Sequence, residues 1–81
     1  MAYLPSPTNV STGKVYILVT DGTGCELSSE GDGTTATTIN GVAVTNAGGA
    51  FAKELALAAS GTFIAIKTGD NAWTVTGGTP N

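Results

Sequence analysis

The 81-residue sequence contains no histidine, no arginine and a single cysteine, Cys25. Each absence removes a class of chemistry. One cysteine cannot close an intramolecular disulfide, and without histidine no thiolate-imidazole zinc site can be built. Nucleophilic catalysis loses its usual base, because the serines and Cys25 have no imidazole to take their proton and the nearest lysine in sequence to Cys25 is Lys14. The three lysines, Lys14, Lys53 and Lys67, stand against six acids for a net charge of −3. Nucleic acid is therefore not an expected partner, since phosphate neutralisation needs clustered Lys and Arg. No apolar run approaches the roughly 20 residues of a membrane span, so no membrane partner is expected. The opening MAYLPSPTNV has neither the basic nor the apolar region of a secretory signal. These features fit a chain made and folded in a reducing cytoplasm with Cys25 as a free thiol, although a bridge between two chains through Cys25 stays open.

Aromatic residues (6%) and charged residues (11%) are also scarce, and much of the 41% hydrophobic fraction is alanine, which adds little apolar area. A chain of this length buries only about 60% of the surface its unfolded form exposes. With neither disulfide nor metal to help, oligomerisation is the remaining support. The surface that composition implies is rich in Thr, Ser, Gly and Ala, as suits packing against copies of itself or a partner.

What is present alternates strands with turns. Pro5 and Pro7 make residues 1–12 an extended arm, followed by a single β domain over 13–81. Val15-Tyr16-Ile17-Leu18-Val19 is apolar on both faces and stopped by Asp21-Gly22, the pattern of a central buried strand. A short strand is expected near Cys25 to Ser28 among glycine turns. Asn40-Gly41, between TTATTI and VAVT, is the strongest hairpin signal in the chain. The segment AFAKELALAAS supports both a helix, with Phe51, Leu55 and Ala58 at helical spacing, and a strand, with Phe51, Lys53, Leu55 and Leu57 on one face; neighbouring strands favour the latter. TFIAIKT and NAWTVT then flank GDN as a second hairpin, with Gly69 at a left-handed turn position. The sum is an all-β sandwich or barrel of about six short strands.

Three patches merit a chemical reading. GDGTTA, Gly31 to Ala36, has dinucleotide-fingerprint spacing, but it follows Ser-Ser-Glu rather than an apolar strand and its threonines oppose a helix, so it reads as a turn. Glu26, Glu30 and Asp32 are oxygen donors without calcium-loop spacing. Glu30 and Asp32 are also too loosely placed in a glycine loop to act as a hydrolytic carboxylate pair. Neither an enzymatic role nor a cofactor or metal is expected. Trp73, the one tryptophan, sits beside Asp70 and Asn71, where an exposed indole would stack on a sugar. Strand alternation instead points it inward with Val75, against Ile64 and Ile66, into a core or a subunit seam where its N–H needs a carbonyl, one a neighbouring chain could supply.

The stretch from Leu55 to Gly78, LALAASGTFIAIKTGDNAWTVTGG, combines a Gly turn, an apolar strand, a Gly-Asp turn, one Trp and a Thr-Val strand ending in glycines. It resembles a hairpin of small β-rich virion proteins of tailed bacteriophages, namely capsid decoration (cement) proteins and fibre or tail-tip domains. The resemblance implies a homotrimer on the capsid exterior, made in the host cytoplasm, that binds the major capsid protein and stabilises the shell without catalysis. A short chain beginning at Met1 fits a decoration protein better than a fibre or tail-tip adhesin module; a small carbohydrate-binding domain is the further alternative. The expected subunit or capsid interface comprises Leu4, Pro5, Pro7 and Val10 of the arm, draped on a neighbour or added to its sheet edge, with Phe51, Leu55, Leu57, Trp73 and Val75.

Overall fold

A computed structural model describes residues 1–80. Nine strands follow one another: β1 (Ala2–Leu4), then a 3₁₀ turn at Pro7–Asn9, β2 (Val15–Val19), β3 (Cys25–Ser29), β4 (Thr37–Ile39), β5 (Val42–Thr45), β6 (Leu55–Leu57), β7 (Thr62–Gly69), β8 (Ala72–Val75) and β9 (Thr79–Pro80). They form one sheet ordered β1-β3-β6-β9 and a second ordered β2-β7-β8-β4-β5. The all-β expectation holds, with nine strands where about six were expected. Two that were not anticipated, β1 and β9, lie where prolines suggest irregular chain.

Turn chemistry sets the reversals. Asn40 and Gly41 hold φ of 53° and 80°, the two left-handed positions of a type I′ turn. The Asn40 side chain also acts as a surrogate backbone. Its Nδ2 donates to the Val75 carbonyl at 3.0 Å and its Oδ1 accepts from the Val75 N–H at 2.8 Å. This extends the parallel pairing of β4 and β8 one step beyond Ile39 and Trp73. The second hairpin differs from expectation: Gly69 pairs with Ala72 across a turn of Asp70 and Asn71, and Gly69 is not left-handed. A bulge between Lys67 and Gly69 supplies the twist that a left-handed glycine would otherwise give.

The core takes Leu4, Leu27, Leu55 and Leu57 from the four-stranded sheet and Ile39, Val44, Ala65, Trp73 and Val75 from the five-stranded one. Beside it lies a buried hydroxyl layer. Thr45 donates to the Ser29 carbonyl, Ser28 to the Lys53 carbonyl at 3.1 Å, and Ser29 to the Glu30 carbonyl at 3.0 Å. These bonds give the buried hydroxyls of Ser28, Ser29 and Thr45 their partners.

Residues 1–12 lie along the body of their own chain. β1 pairs parallel with β3, Leu4 is 3% exposed, and Ser6 and Pro7 are buried. Two side chains that face each other across the β7-β8 hairpin hold this segment. Trp73 Nε1 donates to the Pro5 carbonyl at 3.3 Å, and Lys67 Nζ donates to the Val10 carbonyl at 3.0 Å. The indole thus finds its carbonyl within its own chain, and Tyr16 flanks it at 5.8 Å between ring centroids.

Candidate interaction face

β7 is the element whose polarity runs against its sequence. Ala65 and Lys67 face the core, while Ile64, at 39% exposure, faces outward and Ile66 is half-buried on the same outer side. The expectation that Trp73 packs against Ile64 and Ile66 is therefore corrected: Trp73 stands opposite Lys67 and Val75 opposite Ala65. The small Ala65 leaves room for the indole, and Lys67 is tolerated inside because its aliphatic stem packs while its tip reaches a carbonyl.

β2 corrects a second expectation. It is the edge of its sheet, not a central strand, and exposure alternates along it. Tyr16 and Leu18 pack against the core, whereas Val15 (48%), Ile17 (69%) and Val19 (75%) are exposed. Ile17 lies opposite Ile64 and Val15 opposite Ile66, so five β-branched side chains form one outward apolar face. Threonines continue it inward across the sheet, where Thr68 and Thr74 share a hydroxyl contact at 3.2 Å. Scattered exposed apolar residues are ordinary, but contiguous ones mark contact surfaces.

The backbone of β2 is equally open. Lys14 accepts from the Lys67 N–H and Thr20 donates to the Gly61 carbonyl, each at 3.0 Å, so even-numbered residues bond to β7 and antiparallel alternation turns the N–H and C=O groups of Val15, Ile17 and Val19 outward. Among the described residues these groups have no ladder partner, since β2 pairs with β7 alone. Beneath this edge an open cleft of about 230 Å³ lies between the sheets, lined by Ala2, Leu18, Cys25, Leu27 and Leu57 among others.

The residues expected at an interface are placed elsewhere. Leu4, Leu55, Leu57, Trp73 and Val75 belong to the chain's own core. Pro7 is buried, Pro5 and Val10 are half-buried beneath the β7-β8 hairpin, and Phe51, bridged to Thr45 and 49% exposed, is the one that faces solvent. The segment around Phe51 is extended rather than helical, yet only Leu55 and Leu57 of the expected face turn inward; Lys53 is exposed. Sequence reasoning missed Val15, Ile17, Val19, Ile64 and Ile66 because it assigned them to the core. The signal that could have found them is Lys67, whose parity excludes Ile64 and Ile66 from whichever face it occupies.

The acidic patches are loops. Asp32 accepts from the Thr34 and Thr35 N–H groups, both at 2.8 Å, and Asp21 from the Thr23 N–H at 2.9 Å. These donors hold both carboxyls below the ordinary value of 3.8. Among the described residues no three His, Cys, Asp or Glu side chains gather as a metal-binding group. GDGTTA forms bends around Asp32 with no helix following it. Compared with known proteins, the chain matches no family model, no curated protein and no solved structure.

Proposed function

We propose that the chain is a non-enzymatic structural protein of a tailed-phage virion, a capsid decoration or cement protein that binds the major capsid protein on the outer shell and associates with itself. The observation that carries this reading is the uncharged face of Val15, Ile17, Val19, Ile64 and Ile66. It offers apolar area and a free strand edge, features that make contacts and do no chemistry. The resemblance of Leu55–Gly78 to virion hairpins points the contact toward a capsid. Apolar contact of this kind adds shell stability through buried area rather than through charge.

The alternative readings, an adhesin or carbohydrate-binding module, require an indole open to a sugar ring. Trp73 is 1% exposed, so that support is lost. The test is cosedimentation of the purified protein with phage capsids stripped of surface proteins. Saturable binding, weakened by Ile64→Lys and accompanied by a raised capsid melting temperature, is the expected result. Absence of binding to any such capsid rejects the reading.

A further inference from the structure

Sheet edges are templates for strand addition, and proteins normally guard them. Three of the four edges in this fold are guarded. β5 is covered by the following loop, where the Ala52 and Lys53 N–H groups both reach the Val44 carbonyl. Among the described residues β9 has two, one of them Pro80, and β1 has only three. β2 has five residues with no proline, glycine, charge or internal bulge. Its free N–H and C=O groups sit on the same residues, 15, 17 and 19, whose β-branched side chains are exposed.

We propose that β2 pairs antiparallel with β2 of a second copy, about a twofold axis at Ile17, joining two five-stranded sheets into one. The strand is self-complementary in that orientation. Ile17 meets its own copy, Val15 meets Val19 of the other chain, and Tyr16 meets Leu18. Charge selects the direction: Lys14 precedes the strand and Asp21 follows it, so antiparallel pairing sets opposite charges at each end, while parallel pairing would set like on like. The second strand also lies beside the cleft that Ile17, Leu18 and Val19 line together with Ala2, Cys25 and Leu57. The contact is isologous and closes at two chains, replacing the threefold that the virion resemblance implies. A standard interface needs about 800 Å² per partner, a large share of a chain exposing 4124 Å². One five-residue strand supplies less, so the dimer is expected to dissociate in the range of about 1–100 μM.

Disulfide trapping tests the register. At the twofold the two Ile17 residues form a hydrogen-bonded pair with Cα atoms about 5.5 Å apart, within disulfide reach. In a Cys25→Ser background, Ile17→Cys should cross-link to itself under mild oxidation. Val15→Cys should cross-link only when mixed with Val19→Cys, and Ala47→Cys, on an exposed loop, should not. Sedimentation velocity at several hundred micromolar should give the mass of two chains. Ile17→Lys should weaken dimerisation at least about tenfold with the unfolding midpoint little changed, because the side chain is 69% exposed. A monomer at every concentration overturns the proposal, as does an Ile17→Cys yield no higher than that of Ala47→Cys. Trapping at Ile64→Cys instead of Ile17→Cys would mean that faces pack rather than edges, and also overturns it. The measurement uses free protein without capsids, so its outcome and that of the capsid assay are separable.

Discussion

Trp73 and Lys67 occupy opposite positions on one hairpin and do the same job from different chemistries. Each buries its stem or ring and spends its single polar tip on a carbonyl of the N-terminal segment, at Pro5 and Val10. Removing the indole therefore loses both apolar area and a tether. Trp73→Ala is expected to cost about 3–5 kcal/mol in urea unfolding, with Trp73→Phe costing less because most of the area survives. In the native protein the fluorescence should be blue-shifted and resistant to iodide. The exposed carboxyls of Asp21 and Asp32 act more weakly and through pH. Their folded-state values are depressed by Thr23 and by Thr34 and Thr35, so they favour the folded state above 3.8 and that contribution fades as pH falls through the folded values. NMR titration should place both midpoints below 3.8; a midpoint at or above it would contradict the Asx hydrogen bonds.

Among the elements, β7 is the one in which hydrophobicity misleads. If Ala65 and Lys67 face inward, Ile64→Thr should change stability by under about 1 kcal/mol, whereas Ala65→Leu should overpack the site beside Trp73 and cost about 1–3 kcal/mol. The reverse ranking in denaturant melts would restore the orientation that sequence suggests. The strands themselves were legible: β2, β4, β5, β7 and β8 follow from β-branched runs between Asn, Asp and Gly turns, and β3, which has no β-branched residue, from the glycine turns on either side of it. Asn40-Gly41 was legible for a specific reason, the positive φ its turn requires, while the amide's bonds to Val75 were not, because they span 35 residues. Which parity faces the core was equally invisible. Period-two alternation gives two faces and does not say which is inside when Ile64 and Ile66 lie on one and Lys67 on the other. A strand that is apolar on both faces likewise fits a central position or an edge awaiting a partner, and Val15–Val19 is the second case. The expected interface set was drawn from the most apolar residues, which are the ones a thin core consumes first.

At the scale of the whole molecule, the two sheets are closed by the chain's beginning. Leu4 enters the core, β1 completes one sheet edge, and the carbonyls of Pro5 and Val10 are fastened to the other sheet. Deleting residues 1–9 should therefore do more than remove an arm. It exposes the Trp73 indole and strips Leu4 from the core, and the truncated chain is expected to lose cooperative thermal unfolding by circular dichroism, where a detached arm would leave it unchanged. The same fastening sets the timing of assembly. The donors that hold Pro5 and Val10 lie 68 and 57 residues downstream, so this segment is made long before the side chains that fasten it. Until β7 emerges, β2 has no ladder partner, and the nascent chain carries its stickiest strand uncovered while the four strands between them are made.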